Sequence, residues 1–384
     1  MMVAALALSG AASAELDPTA DSFAIKAVPP PPVEAPIALL ADVASGQILL
    51  ARAADRRMLP ASMTKAMTAL VAFELIEVGR LNENTEVTIS AEAARWAGKG
   101  TTLNLKAGEK VRIGDLLMGT TTVSANDAAV ALAEAAIGSR ERFAGVMNAY
   151  ASSLGMKGSH FASVNGLPDG GRTYVTANDM IRMASALVSQ HPVLYRRYFG
   201  HKTMIWRGAI YTSHDPFAGV LPGADGIKTG HTREAGFNFL GSVERQGRRL
   251  LLVIGGAPTE PARADAARGL AEWGYRSWDN QPFLAPGFVV GATQVQGGDA
   301  RKVALTVPRA FAVSLPKGQT GPIAGRIVYQ GPLKAPLAKG VQVARLDVAV
   351  PGQPVYSLPL VTAHPVGAAG MFDRIVAGLL EIFE

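Results

Sequence analysis

Hydrophobic and polar positions divide the chain into three patterned stretches, and the first runs from Ile37 to about residue 280. Two apolar runs around the turn Ala44-Ser45-Gly46 predict a β-hairpin, and a long helical pattern follows over 61–79. Further patterns predict a strand at 85–90, helices over 113–137, 139–154, 176–190 and 261–273, and two strands within 234–256 that turn at Gln246-Gly247. Strands at both ends, helices between them and no β-α-β alternation predict an α+β fold with helices packed on a mainly antiparallel sheet. We expect this domain to span 37–281.

The second stretch alternates apolar and polar residues with a period of two. Segments such as "VALTVPRAFAVSLPKG" and "VQVARLDVAV" follow one another at short spacing between Gly and Pro turns. This alternating pattern is typical of a small all-β domain, a sandwich or a barrel, and we expect that domain to span 282–362.

The third stretch, 363–384, ends in an amphipathic helical pattern. Its apolar residues follow helical spacing at Phe372, Ile375, Val376, Leu379, Leu380 and Phe383. One Arg stands against three acids in this helix, so attraction to anionic lipid cannot drive binding, and burial of the apolar face would have to. We expect the helix to anchor the protein on a membrane surface, and docking on its own domain is the alternative.

The N-terminus carries two processing signals. Residues 1–14 are apolar and small and end in Ala12-Ser13-Ala14, which is typical of a secretory signal peptide, although an ordinary N-terminus is the alternative. Residues 15–36 end in "PPPPVEAP", a stiff segment that predicts a Pro-rich linker. We therefore expect an exported, periplasmic protein bound peripherally to the outer face of the cytoplasmic membrane.

Composition excludes several functional classes. The 384 residues include no cysteine, so a disulfide framework, thiol catalysis and Cys-ligated zinc are excluded. The net charge of +6 is spread along the chain without blocks of like charge, so nucleic acid is not an expected partner.

The candidate chemistry begins with "ASMTK", where Ser62 precedes Lys65 by three residues on an apolar helix. Residues at this spacing lie on one helix face, so the two side chains can touch. Burial disfavours a charged lysine, and a neutral lysine is a base that can activate a serine hydroxyl. The alternative is a chance pairing, with the lysine reaching solvent.

Two later segments complete a pattern. Ser124-Ala125-Asn126 stands ahead of the helical run "DAAVALAEAAIG" and could relay a proton and hold a substrate amide, or merely cap the helix. The segment 163–165 has the same S-x-N form, but Gly-Leu-Pro follows it, and we interpret it as lying outside the site. Lys228-Thr229-Gly230 precedes a strand, and a cation, a hydroxyl and a glycine on an edge strand suit a substrate that ends in a carboxylate. The glycine permits close approach of a ligand backbone; a simple turn is the alternative.

The motifs S-x-x-K, S-x-N and K-T-G in this order are the signature of penicillin-binding proteins and class A β-lactamases. The chain resembles the low-molecular-mass penicillin-binding proteins, specifically the serine D-alanyl-D-alanine carboxypeptidases of the type-5 group. The likeness covers 37–280 and includes "ASMTKAMTAL", "VSANDAAVALAE", "FASVNGL", "DGIKTGHTREAGFNFL" and "AEWGYR". The β domain and the terminal amphipathic helix also match.

This resemblance implies a catalytic set. Ser62 would attack the carbonyl between two D-alanines of the peptidoglycan stem pentapeptide, and Lys65 would act as general base. Ser124 would pass the proton towards the departing D-alanine, and Asn126 would orient the substrate amide.

The resemblance also implies a substrate-binding set and no metal ion or cofactor. Lys228 would support the charge network, while Thr229, Gly230 and the backbone at His231 would bind the terminal carboxylate and complete an oxyanion hole. Arg263 matches the carboxylate-binding arginine of the family.

Three alternatives differ in chemistry. A class A β-lactamase uses a Glu to hydrolyse its acyl-enzyme, and residues 155–180 contain no Glu, only Asp169 and Asp179 as acids. A non-catalytic peptidoglycan-binding protein would have a degenerate site, whereas every motif residue is intact. A zinc peptidase would need a ligand cluster such as H-E-x-x-H, which the sequence lacks. We therefore expect a carboxypeptidase that β-lactams inactivate by stable acylation of Ser62.

Overall fold

The computed structural model describes residues 28–319, 323–350 and 355–370. The predicted signal peptide, most of the predicted linker and the apolar part of the predicted C-terminal helix lie outside these residues. The chain divides into two compact units, one formed by 29–43 with 48–275 and one that contains 44–47 and the chain from 276 onward. None of the helices in the described ranges is long and apolar enough to cross a bilayer.

Helices contribute more residues to the first unit than strands do. They are α1 (Thr64–Glu77), α2 (Ala91–Ala94), α3 (Ile113–Thr121), α4 (Asn126–Ile137), α5 (Arg140–Ser153), α6 (Ala177–Gln190), α7 (Pro192–Tyr198) and α8 (Glu260–Ser277), with a short 3-10 helix, Ala61–Met63, directly ahead of α1.

The strands of this unit form one large sheet and two small hairpins. They are β1 (Ile37–Asp42), β2 (Ile48–Arg52), β3 (Glu86–Thr88), β4 (Lys110–Arg112), β5 (Thr203–Trp206), β6 (Ala209–Thr212), β7 (Ala224–Thr232), β8 (Gly236–Arg245) and β9 (Arg248–Ala257). The large sheet has the order β2-β1-β9-β8-β7, and every pairing in it is antiparallel. The predicted α+β fold with helices on an antiparallel sheet is confirmed.

Both faces of the large sheet are covered because its central strands are apolar on both sides. Leu39 and Val253 belong to the core that the helices build on one face. On the other face, Gly274 of α8 packs so closely against Leu40 and Leu250 that an added Cβ would lie within 2.8 Å of each side chain. The strand β7 is at one edge of this sheet and pairs only with β8 within it. Its other side lies against the 3-10 helix ahead of α1.

Helix α1 lies in the middle of the helical core. Eleven of its 14 residues are buried, and it contacts α3, α4, α5 and α6. A helix that is apolar all round has no solvent-facing side, so its polar residues must find partners inside the protein. This burial explains why Lys65 cannot reach water.

The helical pattern predicted over 113–137 forms two helices rather than one. The chain leaves α3 after Thr121 and re-enters a helix at Asn126, and Ser124 between them has a positive φ of 69°. A left-handed residue ends the helical path. The break places Ser124 and Asn126 at the junction of α3 and α4.

Part of the predicted linker packs on the first unit. Val33 and Ala35 are buried. The Arg52 guanidinium donates hydrogen bonds to their carbonyl oxygens, at 2.7 and 3.3 Å. Residues 33–36 therefore continue into β1 as ordered structure.

The second unit is built of strands. They are β10 (Trp278–Leu284), β11 (Val289–Gln296), β12 (Lys302–Thr306), β13 (Phe311–Pro316), β14 (Ala324–Tyr329), β15 (Leu333–Lys334), β16 (Gln342–Ala349) and β17 (Tyr356–Thr362). A six-stranded sheet has the order β14-β16-β17-β12-β11-β15, and β10 pairs with β13. The core of this unit is filled by side chains such as Leu305, Val313, Leu346 and Leu360, as the alternating sequence pattern predicts.

Candidate active site

Ser62 and Lys65 meet at the start of α1. Ser62 lies on the 3-10 helix and Lys65 is the second residue of α1. Their separation of three residues brings Lys65 Nζ within 2.9 Å of Ser62 Oγ. The pair is therefore set up for proton transfer between hydroxyl and amine.

The Lys65 amine is fully buried and has two further partners. Its Nζ lies 2.7 Å from Asn126 Oδ1 and 2.7 Å from the Asn165 carbonyl oxygen. Burial lowers the pKa of Lys65 well below its usual value, the nearby charge of Lys228 lowers it further, and Asp127 opposes the shift.

The hydrogen-bond partners decide which way the lone pair of a neutral Lys65 points. The Asn165 carbonyl can only accept, and Asn126 must present its oxygen because its amide Nδ2 donates to the Lys99 carbonyl at 2.6 Å. These two acceptors take both N–H groups of a neutral amine. The lone pair is left for the hydroxyl of Ser62, which is the geometry of a general base.

Asn126 and Ser124 do not cap α4. The N-cap residue is Ala125, which makes no side-chain cap. The Asn126 side chain bonds to Lys65 and Lys99 instead, and its backbone N–H donates to the Thr101 carbonyl at 2.8 Å. The capping alternative therefore does not hold for this motif, and the loop around Lys99 is tied to the site.

The segment Lys228-Thr229-Gly230 lies on β7, at the edge of the sheet. A Cβ built on Gly230 would lie 2.3 Å from the Pro60 carbonyl oxygen and 3.1 Å from the Met63 nitrogen. The glycine therefore lets β7 lie directly against the turn that carries Ser62. The protein's own backbone, rather than a ligand, is what requires the missing side chain.

Lys228 is the second buried cation of the site. It is 4% exposed, and its Nζ donates to the Thr229 carbonyl at 3.3 Å. Burial lowers the pKa of Lys228 to about 7; Arg263 contributes to this lowering, and Asp215 opposes it. The charge of Lys228 consequently titrates near neutral pH.

Arg263 lies in the first turn of α8 and interacts electrostatically with Lys228. It is 3% exposed, and its Nη2 donates to Glu260 Oε1 at 2.8 Å and to the His214 carbonyl at 3.4 Å. Its Nε is buried without a hydrogen-bond partner in the described part of the chain. A buried guanidinium with a spare donor is suited to an anionic ligand.

Thr229 and His231 follow the same strand. Thr229 is buried opposite Phe239. His231 is exposed, and its ring stacks on Phe237 with 3.9 Å between centroids. The structure thus brings the predicted residues of the strand to the edge that faces the nucleophile turn, with the His231 ring directed to the surface.

The segment 163–165, interpreted from the sequence as lying outside the site, contacts it through its backbone. Asn165 supplies the carbonyl that binds Lys65, and Thr68 Oγ1 donates to the Val164 carbonyl at 2.6 Å. A Cβ on Gly166 would lie 1.8 Å from the Ala61 carbonyl oxygen. That interpretation is corrected here: a pattern of side chains cannot reveal a carbonyl ligand, although the glycine after Asn165 was a signal of close approach.

Asp127 is a second residue that the sequence analysis missed. Its buried carboxylate accepts the N–H groups of Leu103, Leu105 and Ala128 at 2.9–3.0 Å. This carboxylate anchors the loop after Lys99 to the start of α4. It is also the acid that acts on the charge of Lys65.

Comparison with known proteins agrees with this geometry. Residues 24–259 match the family model described as D-alanyl-D-alanine carboxypeptidase, and residues 278–368 match the C-terminal domain of penicillin-binding protein 5. The chain belongs to the D-alanyl-D-alanine carboxypeptidase family. It is a serine-type carboxypeptidase, a hydrolase of the low-molecular-mass penicillin-binding proteins of type 5.

Relatives match this carboxypeptidase over nearly their whole length. D-alanyl-D-alanine carboxypeptidase DacD of Salmonella typhimurium is 33% identical over 94% of each chain, and DacA of Escherichia coli is 32% identical over 95% of this chain and 92% of its own. The structure of penicillin-binding protein 5 from Haemophilus influenzae has a TM-score of 0.75 and 30% identity, covering 88% of this chain and 99% of that chain. The ampicillin-bound penicillin-binding protein D2 of Listeria monocytogenes has a TM-score of 0.57 and 30% identity, covering 65% of this carboxypeptidase and all of that chain.

Proposed function

We propose that Ser62 is the nucleophile that attacks the carbonyl between the two terminal D-alanines of a peptidoglycan stem pentapeptide. The observation that carries this proposal is the Lys65 amine, whose two acceptor partners leave its lone pair for the Ser62 hydroxyl. Lys65 takes the hydroxyl proton as the C–O bond forms. A hydroxyl without such a base is a poor nucleophile.

The remaining catalytic roles complete the reaction. Ser124 relays the proton that Lys65 took from Ser62 to the amine of the departing D-alanine, so the peptide bond breaks, Lys65 is neutral again and acyl-Ser62 remains. Water then adds to the acyl carbon, Ser62 recovers its proton, and the shortened peptide leaves. Asn126 orients the substrate amide while its own oxygen holds Lys65.

The terminal carboxylate of the substrate binds between the edge strand and the start of α8. Lys228 and Arg263 are buried cations at this place, and Arg263 Nε has no partner within the described residues. Thr229, Gly230 and the backbone at His231 line the strand edge beside Ser62. A peptide laid along an edge strand gains main-chain hydrogen bonds as well.

β-Lactams acylate the same serine and remain attached. Solved structures of the Listeria monocytogenes relative contain ampicillin and cefotaxime, which supports this part of the proposal. Slow release is supported by the sequence, because residues 155–180 contain no Glu, and the Asp169 carboxylate there accepts hydrogen bonds from the N–H and hydroxyl groups of Thr173. The Asp179 carboxylate accepts from Gly158 and Ser159. Both carboxylates therefore hold backbone and side-chain donors of their own segment.

The test is intact-protein mass spectrometry over time after mixing with benzylpenicillin. We expect a persistent single adduct that maps to Ser62, is absent in Ser62→Ala and is retained in the control Ser153→Ala, which alters an exposed serine at the end of α5. D-Alanine release from a pentapeptide by Ser62→Ala would overturn the proposal. An adduct that disappears while penicillin is consumed would favour a β-lactamase, and a folded protein without any adduct would favour a non-catalytic peptidoglycan-binding protein.

The place of action is the periplasm, at the outer face of the cytoplasmic membrane. The signal-like residues 1–14 and the amphipathic pattern at 371–384 support this assignment. The substrate of the family is the bacterial cell wall, which lies outside the cytoplasm. Binding through an apolar helix face would hold the protein at the membrane surface.

A further inference from the structure

A third charged side chain, Asp215, is held at the Lys228 and Arg263 cluster. Its Oδ1 accepts the Phe217 N–H at 2.8 Å. The Phe217 ring is fully buried and meets Phe239 edge-on at 4.8 Å. Phe239 stands opposite Thr229 in the sheet, so this packing anchors the Asp215 loop to the strand that carries the K-T-G segment.

Arg263 fastens the same loop from α8. Its Nη2 reaches the carbonyl of His214, the residue before Asp215, at 3.4 Å. Arg268, one turn and a half further along α8, donates to the Pro216 carbonyl at 3.3 Å. The position of the Asp215 carboxylate is thus set by contacts to two different elements.

The charges around Asp215 form a small, defined set. Lys228 and Arg263 face it as cations, and Asp225 faces it as a like charge. Lys228 in turn acts on Lys65, and Arg263 is paired with Glu260. Burial raises the pKa of Asp215 to about 6, so the carboxylate is charged at neutral pH.

We propose that Asp215 is a positioning residue for substrate recognition: it is the internal counter-ion that keeps Lys228 charged beside Arg263, so that the site can select ligands with a carboxylate. This proposal rests on the roles assigned above to Lys228 and Arg263. Two buried cations repel each other, and removing the acid that interacts with both favours the loss of a proton from Lys228. Asp215 thereby extends carboxylate recognition to higher pH.

A pH dependence follows from these charges. Lys228 loses its proton as the pH rises through about 7, and selectivity for a carboxylate ligand is lost with it. Without Asp215 the pKa of Lys228 is lower, so the loss of selectivity moves to lower pH, by roughly one pH unit or more for an opposite charge at close range.

The test compares two acylating probes that differ in one group, benzylpenicillin and its methyl ester. The second-order acylation rate of each is measured between pH 5 and 9, and the ratio of the two rates reports carboxylate selectivity. Changes in the nucleophile or in Lys65 affect both probes alike and cancel in the ratio. Wild type, Asp215→Asn, Asp215→Glu and the control Asp279→Asn, an exposed acid on β10, are compared.

We expect the midpoint of the selectivity profile to shift to lower pH by roughly one unit or more in Asp215→Asn, to return towards wild type in Asp215→Glu, and to stay in place in Asp279→Asn. An unchanged midpoint in Asp215→Asn, or an equal loss of rate for both probes, overturns the proposal. Failure of benzylpenicillin to acylate the wild-type protein would instead overturn the assignment of Ser62. Thermal unfolding of each variant shows that the compared proteins are folded.

Discussion

At the scale of single residues, the site depends on the Lys65 amine, whose burial disfavours the charged ammonium form. Lys65 has no exposed surface, and the second cation, Lys228, adds to the lowering of its pKa. Burial is set by the packing of α1 and cannot be adjusted by one substitution. The contribution of Lys228 can be removed on its own.

Lys228→Gln should therefore raise the pKa of Lys65. Because the neutral amine is the proposed base, acylation should increase as the pH rises through this pKa, and the acid limb of the rate profile should move to higher pH. The measurement is the acylation rate of Ser62 by benzylpenicillin methyl ester against pH, since a neutral probe does not need Lys228 for binding. A limb that stays at the wild-type pH would show that the two lysines are not coupled.

At the scale of elements, the close contact between β7 and the 3-10 helix brings Ser62, the proposed nucleophile, to the edge strand. Gly230→Ala would place a Cβ 2.3 Å from the Pro60 carbonyl oxygen, and that backbone cannot yield without moving Ser62. We expect acylation by benzylpenicillin to fall at least about tenfold, because small displacements of reacting groups reduce rates strongly.

Gly145→Ala is the matched control for this substitution. Gly145 lies within α5, and a Cβ there meets no atom within 4 Å. It should leave acylation unchanged and stabilise the helix by about 0.5–1 kcal/mol. Equal acylation rates for the two variants would contradict the role of close approach at Gly230.

Asp127 joins two elements, since its carboxylate holds the Leu103–Leu105 loop to α4. Asp127→Ala leaves buried N–H groups without an acceptor, and we expect a loss of roughly 3 kcal/mol in the free energy of unfolding. Asp115→Ala, which removes an exposed pair with Arg112, should cost well under about 1 kcal/mol. Denaturant titration measures both, and similar losses would show that Asp127 does not anchor the loop.

At the scale of the whole molecule, attachment to the membrane is expected to reside in the last residues. A chain ending at residue 370 should stay in the supernatant with lipid vesicles and keep its soluble carboxypeptidase activity, whereas the full chain should sediment. Because the predicted helix carries one Arg against three acids, its binding should withstand high salt. Sedimentation of the truncated form would show that the anchor lies elsewhere.

Much of this protein is determined by local sequence. The apolar residues of 61–79 predict a buried helix, and α1 is buried on nearly every side. The alternation after residue 282 predicts strands, which form there. The three motifs predict Ser62, Lys65, Asn126 and Lys228 as site residues, because this chemistry needs particular side-chain types at particular spacings.

What the tertiary structure alone decides is how distant segments meet. The Asn165 carbonyl that orients Lys65 is contributed by a segment 100 residues away, and every residue type carries such a carbonyl. Asp215 is an ordinary acid in a loop until the packing of Phe217 on Phe239 brings it to Lys228 and Arg263. The sequence alone determines which side chains are present. Burial, backbone hydrogen-bond partners and the interactions between charges exist only once the chain has folded, and they determine whether Lys65, Lys228 and Asp215 are charged.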